Sequence, residues 1–251
     1  MTTSVTVVSV VRNDEKNIEK TIMSVLSQNY PALEYIVIDG GSTDATQNLI
    51  QKYASRIKLI ISEPDQNIFD AMNKGIQHAT GDWINFMNSG DRFVSNSSVS
   101  DAITTERSTA DIIYGDSIIE SENGKTRLLK VNNKKAFWKR YINHQSIFTK
   151  TQLLKDNPFN IRYDICSDFD FLIRMHVHGC KIQTLNFPVS IRKSGGKSDK
   201  NRIKSHLQKS EILKNLNAGS IRPIAVKMML IYNIGLEMAK TILKRLLGKL
   251  S

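Results

Sequence analysis

Tyr35-Ile36-Val37-Ile38-Asp39-Gly40-Gly41-Ser42-Thr43-Asp44 is the stretch on which the fold turns. An uninterrupted apolar run, as in a strand buried on both faces, stops at an acidic, glycine-rich turn. Val5 to Val11 precedes it as another buried, Val-rich strand, followed by a helix that Asp14 is placed to cap. That helix carries Ile18, Ile22, Val25 and Leu26 on one face, with Pro31 as its stop. Beyond the quoted stretch come a helix with Leu49, Ile50 and Tyr53 apolar, the strand Ile57 to Ile61 and a loop at Glu63-Pro64-Asp65-Gln66-Asn67. A helix with Ile68, Ala71, Met72 and Ile76 inward follows, then the strand Trp83 to Met87, which ends at Asn88-Ser89-Gly90-Asp91. Strands alternating with helices build βαβ units, hence an α/β fold with a parallel sheet flanked by helices. Ligands bind outside the carboxyl ends of such strands. The polar clusters after Val11, Ile38, Ile61 and Met87 are therefore expected to meet in one crevice.

The regularity falls beyond residue 110. Ile112 to Ile119 reads as a strand, Ser121 to Gly124 as a turn and Arg127 to Val131 as the return strand. Asn143-His144-Gln145 lies on a strand-like segment, and Cys166-Ser167-Asp168-Phe169-Asp170 opens a helix that Gly179 ends. Trp83 and Phe86 read as core, whereas Trp138, in the less regular half, is a candidate platform for a ligand ring.

With 251 residues, 40% of them hydrophobic, the chain is long enough to bury a sizeable core, which excludes a disordered protein. No basic stretch with an apolar core and a small-residue cleavage site opens the sequence, so a cytoplasmic protein is expected. Cys166 and Cys180 lack metal-ligand spacing and read as free thiols. The net charge of +11 resides wholly in residues 192–251, which hold 14 Lys/Arg against 3 Asp/Glu. From Pro223 a helical pattern sets Asn233, Glu237, Lys240, Thr241 and Lys244 on one stripe against a broad apolar face. Lys227, Asn233 and Glu237 interrupt the apolar run, so a surface helix on anionic membrane is expected rather than a span. The tail lacks interleaved aromatics, which argues against nucleic acid.

Carboxylates gathered at strand ends can accept from a base or ribose, hold a divalent cation on a diphosphate and take a proton from a hydroxyl. Each Asp in these turns has a simpler purpose, a local backbone hydrogen bond. Their combination resembles the family-two glycosyltransferases of GT-A (Rossmann-like) fold, in particular a branch of bacterial polysaccharide-assembly enzymes that includes the colanic acid glycosyltransferase WcaE. The resemblance runs through most of residues 4–198. It is carried by Ser9-Val10-Val11-Arg12-Asn13, Ile38 to Asp44, Glu63-Pro64-Asp65, Asp70-Ala71-Met72-Asn73-Lys74-Gly75-Ile76, Asn88-Ser89-Gly90-Asp91, His144-Gln145, Ser167-Asp168 and Gly195-Gly196-Lys197-Ser198.

The resemblance implies that Ser9, Arg12, Asn13, Asp39, Asp65 and Asn88 line the donor pocket. It makes Asp91 the ligand of a divalent cation, Mn²⁺ or Mg²⁺, that bridges the diphosphate. Asn88 and Gly90 stand where many relatives carry Asp, so metal and donor are expected to bind together. Asp168 matches the base that takes the acceptor's proton in an inverting displacement, and Asp170 faces another side of the same turn. His144 either binds the acceptor, contacts the diphosphate, completes the metal shell or is structural; Gln145 is its recurrent partner. Lys197 either closes over the diphosphate or lies in a solvated loop. The expected organisation is a catalytic domain over 1–198, with a nucleotide-sugar half (1–110) and an acceptor half (111–198), then a basic helical extension over 199–251.

The resulting expectation is transfer from a nucleotide sugar, UDP-linked by default, to a lipid-linked glycan during bacterial surface-polysaccharide assembly, on the inner face of the cell membrane. A nucleotidyltransferase is disfavoured because Arg12-Asn13-Asp14 is no Gly-rich phosphate loop, and a processive synthase because no Gln-x-x-Arg-Trp motif appears. A non-catalytic nucleotide-sugar-binding or scaffolding subunit is the remaining alternative.

Overall fold

The computed structural model describes residues 3–103, 109–131, 143–215 and 235. Chain order runs β1 (Val5–Val11), α1 (Ile18–Leu26), β2 (Leu33–Asp39), α2 (Thr46–Gln51), β3 (Leu59–Ser62), α3 (Ile68–His78), β4 (Trp83–Phe86), β5 (Arg92–Phe93), α4 (Ser98–Ala102), β6 (Ile112–Glu120), β7 (Thr126–Leu129), β8 (Ile147–Lys150), α5 (Thr151–Asp156), α6 (Ser167–Val177), β9 (Ile182–Lys193), α7 (Lys197–Lys200) and α8 (Arg202–Asn215).

One sheet orders these strands β3-β2-β1-β4-β8-β6-β9-β5, with β7 paired to β6. The run β3-β2-β1-β4 is parallel throughout, and β6 is parallel to β9; antiparallel neighbours enter at β8, β7 and β5. Every residue of β1 is buried because helices cover both faces of the sheet. Val8 and Val10 pack with Ile36, Ile38 and the α3 residues Phe69, Met72 and Ile76. Val7 and Val11 pack on the opposite face with Ile18, Ile22 and Val25 of α1. Trp83 and Phe86 lie in these two layers as core.

Local chemistry fixes the helix ends. Asn67 caps α3 by accepting from the amides of Phe69 (2.9 Å) and Asp70 (3.3 Å). A Cβ on Gly75 would lie 2.5 Å from Val8 Cγ1, so this glycine lets α3 approach β1. Two expectations need correction. Asp14 does not cap α1 with its side chain, which bonds Asn17 Nδ2 and Ser89 Oγ instead. Ile68 is exposed at the first position of α3, whose buried face is formed by Phe69, Ala71, Met72, Gly75 and Ile76.

In the less regular half, β6 and β9 shift register around Gly115 and Asp116, where a Cβ on Gly115 would meet Val189 Cγ2 at 2.6 Å. Helix α8 packs back on residues 162–166: Gln208 Oε1 accepts from the amides of Ile165 and Cys166, and Ile212 and Leu213 are buried. Among the described residues no helix is long and apolar enough to cross a membrane. The expected surface helix from Pro223 and the sugar-stacking Trp138 lie outside the described residues.

Candidate active site

The strand ends do converge. After β1, Asn13 adopts a left-handed conformation (φ 49°) that Asn tolerates, and clamps the next turn: its amide donates to Ser42 Oγ (2.8 Å) and its Oδ1 accepts from Thr43 N (2.8 Å). Arg12 is exposed beside Gly40. A Cβ there would sit 2.5 Å from Asp65 Oδ2 and 3.4 Å from the Arg12 side chain, so glycine lets the Arg12 and Asp65 side chains flank one stretch of backbone. Lys74 holds Asp65 Oδ1 at 2.7 Å and Glu63 Oε1 at 2.9 Å; burial pushes the Asp65 carboxyl up, and Lys74 opposes it.

Two expected donor residues are placed differently. Ser9 is wholly buried, its Oγ donating to Met87 O (2.5 Å) and accepting from Tyr35 Oη (2.9 Å), so it ties β1 to its neighbours and presents nothing to a nucleotide. Asp39 is also fully buried: Ser42 N and Oγ, Gln47 Nε2 (3.0 Å) and Ser62 Oγ (2.6 Å) fill its two oxygens. It shapes the turn, the simpler purpose of such an Asp, and does not face open space.

After β4 the Asn88–Asp91 loop is stitched to α1. Gly90 takes φ 92° and donates its amide to Thr21 Oγ1 (3.1 Å), Thr21 Oγ1 donates to Asp91 O (2.8 Å), and Ser89 Oγ donates to Asp14 (2.6 Å). Asp91 is 8% exposed; Gln145 Nε2 donates to its Oδ2 (2.6 Å) and Lys193 N to its Oδ1 (3.1 Å). Burial dominates these bonds and pushes the Asp91 carboxyl up to about 6.

Asn143-His144-Gln145 is not on a strand. His144–Ser146 forms one 3-10 turn before β8, so successive side chains splay in different directions. Gln145 reaches Asp91, whereas His144 spans Asn88 and Asp168, with Nε2 3.0 Å from Asn88 Nδ2 and Nδ1 3.4 Å from Asp168 Oδ2. Asp168 lies in the first turn of α6, where the helix dipole favours a carboxylate, and keeps a quarter of its side chain exposed. Asp170 is buried and bound to Arg174 Nε at 2.9 Å. The site thus brings together Asn88, Asp91, His144, Gln145 and Asp168.

Lys197 stands apart. Its Nζ lies 3.0 Å from Asp164, which Lys204 also holds at 2.8 Å, and these lysines keep the Asp164 carboxyl far below the usual range. The glycine-rich segment is pinned rather than open, because Asp199 bonds both Arg192 (2.8 Å) and Gly195 N (3.0 Å).

The model of glycosyl transferase family 2 matches residues 6–170, from β1 into the first turn of α6. The chain belongs to glycosyltransferase family 2. A PGL/p-HBAD biosynthesis glycosyltransferase of Mycobacterium bovis is 34% identical to it over 164 residues, 60% of this chain and 61% of that relative's length. TarS of S. aureus (residues 1–349) matches with a TM-score of 0.67 at 19% identity, over 92% of this chain and 70% of that one, and the same protein has been solved with UDP-GlcNAc. Mannosyltransferase PcManGT from Pyrobaculum calidifontis, solved with GDP-Man and Mn²⁺, matches with a TM-score of 0.67 at 16% identity, over 92% and 68%. These likenesses establish the GT-A fold.

Family-2 membership raises the question of a divalent cation. Among the described residues no three His, Cys, Asp or Glu side chains gather closely enough to hold one. Asn88 Oδ1 and Gln145 Oε1, however, are buried without a protein partner beside Asp91. One carboxylate with neutral amide oxygens suits a hard cation that arrives on a diphosphate and keeps its waters. Sequence reasoning missed Lys74 as the partner of Asp65, although it stands inside a quoted motif. It also missed Lys193, whose contact with Asp91 is through a backbone amide that no side-chain pattern signals.

Proposed function

We propose that this family-2 protein is an inverting glycosyltransferase that moves a sugar from a nucleotide sugar, UDP-linked by default, to a lipid-linked glycan acceptor in bacterial surface-polysaccharide assembly. The observation that carries this reading is Asp168: a part-exposed carboxylate at a helix start, one histidine away from the strand-end loop Asn88–Asp91. A PGL/p-HBAD biosynthesis glycosyltransferase among its relatives, and UDP-GlcNAc and GDP-Man in its fold neighbours, support a nucleotide-sugar donor and a place in glycan biosynthesis. The colanic-acid-type branch is the placement its motifs favour.

In this reading Arg12, Asn13 and Asp65 line the nucleotide's side of the crevice, and the diphosphate lies at Asn88 and Asp91. Those two residues would hold Mn²⁺ or Mg²⁺, which when bound offsets the charge of the leaving diphosphate. Asp168 accepts the proton of the acceptor hydroxyl as that oxygen bonds to the anomeric carbon. The bond from that carbon to the diphosphate breaks, and its electron pair leaves with the nucleoside diphosphate. Attack from the face opposite the leaving group inverts the anomeric centre. The expected basic helical extension over 199–251 brings the enzyme to an anionic membrane carrying the acceptor, each Lys or Arg near the surface contributing about 1 kcal/mol.

Thermal-shift titration with UDP, GDP, dTDP and CMP, with and without Mn²⁺, tests the donor assignment. One nucleotide is expected to stabilise the wild type with metal and to lose that effect in Asp91→Ala. Stabilisation by none of them contradicts the assignment; binding without turnover of any matching nucleotide sugar favours a non-catalytic subunit. The membrane assignment predicts co-sedimentation with anionic liposomes at low salt, and protein left in the supernatant contradicts it.

A further inference from the structure

His144 stands between two groups that the proposed reaction uses on opposite sides. An amide nitrogen only donates, so Asn88 Nδ2, 3.0 Å from His144 Nε2, requires that ring nitrogen to be unprotonated. The single proton of the neutral ring then resides on Nδ1, which faces Asp168 Oδ2 at 3.4 Å. That distance is long for a hydrogen bond, as such contacts commonly are before substrate draws the groups together.

The ring has little freedom to do otherwise. Asn85 Nδ2 ties the turn to β4 by donating to Gln145 O (3.1 Å) and Ile147 O (2.8 Å), while the next side chain, Gln145, is engaged with Asp91. Beneath His144 and Asp168 lies an apolar cavity of about 20 Å³ whose walls include Ile84, Phe86, Phe159 and Leu172. Thr149 is the one polar side chain in that lining besides His144 and Asp168 themselves, and Asp168 Oδ1 accepts from the amide of Phe169 (2.8 Å), which leaves Oδ2 as the oxygen turned to the ring.

We propose that His144 is a positioning residue: held by Asn88 as the Nδ1–H tautomer, it aims the Asp168 carboxylate and couples it to the loop that meets the donor's diphosphate. This rests on the reading of Asp168 as the base. It also gives Asn88 a task that an Asp there would not perform. An ionised Asp at this position only accepts, and would draw a proton onto Nε2.

The test pairs spectroscopy with rescue. Correlation of imidazole ¹⁵N and ¹H signals, with His144 assigned by its loss in His144→Gln, is expected to show a neutral Nδ1–H ring in the wild type and a protonated Nε2 in Asn88→Asp. In turnover of the nucleotide sugar identified by binding, His144→Asn, whose amide can replace Nδ1–H, stays within about tenfold of wild type. His144→Gln, whose amide replaces Nε2, falls by on the order of 10–100-fold. An Nε2–H or doubly protonated ring in the wild type overturns the proposal, and so does an equal loss in both His144 variants. Failure of the underlying reading looks different: Asp168→Asn would then turn over at nearly the wild-type rate, and the proposal falls with it whatever tautomer the spectrum reports.

Discussion

Asp39 at the end of β2 and Asp91 beyond β4 are both buried carboxylates at the same edge of one sheet, yet they live in opposite circumstances. Asp39 collects donors from Ser42, Gln47 and Ser62, all within its own half of the molecule. Asp91 has one side chain and one backbone amide, both supplied from the other half, and burial lifts its carboxyl to about 6. Two buried atoms without a protein partner lie at the same junction, Asn88 Oδ1 and Gln145 Oε1. A turn that satisfies itself is architecture; a junction that leaves buried polar atoms waiting marks where a ligand is to complete the site.

The largest expected effect lies at that junction. Asp168→Asn is expected to lower kcat by on the order of 10²–10⁴ with nucleotide affinity within about twofold, read by single-turnover assay beside calorimetry. A matching loss of nucleotide affinity would move Asp168 out of the base role.

Next is Asp91→Asn, read as thermal stability against pH. The Asp91 carboxyl is raised from 3.8 to about 6, so ionising it opposes folding. That penalty is absent below about pH 4, grows as pH rises towards the folded value and is complete above it, worth ~3 kcal/mol at most. The variant should therefore gain stability over wild type as pH rises from about 4 to 6, with little further change above about 7. A difference that does not change with pH would contradict the raised carboxyl of Asp91.

On the satisfied side, Ser42→Ala removes one donor to a carboxylate and should cost about 2 kcal/mol, measured by urea denaturation. The smallest effect is expected for Lys197→Ala. Its exposed pair with Asp164 is worth ~0–1 kcal/mol, and nucleotide affinity should not change. A tenfold loss of affinity would mean that this segment swings over the diphosphate.

The contrast between the halves also explains what the sequence made legible. Strands β1 to β4 announce themselves because parallel strands covered on both faces are apolar runs ending in polar turns, and the clusters after Val11, Ile38, Ile61 and Met87 do converge. Strand β9 is hard to read, since Pro188 interrupts it at a shift of register that only the pairing with Asp116 explains. The pairing of His144 with Asp168 joins residues 24 apart in sequence through a single 3-10 turn whose pattern resembles a strand. Asp39 and Ser9, both buried, show that a polar residue at a strand end looks the same in sequence whether it turns to a ligand or to its neighbours. Asp168 and Asp170 were separable, because helical geometry points residues two apart in different directions and Arg174 stands four residues on to take the second.

The most direct test of the account is the anomeric configuration of the transferred sugar, read by ¹H NMR of the product formed from the nucleotide sugar that binds. Displacement assisted by Asp168 predicts inversion, a β-linked product from an α-linked donor. Retention of the donor's configuration would contradict a single displacement and with it the role given to Asp168.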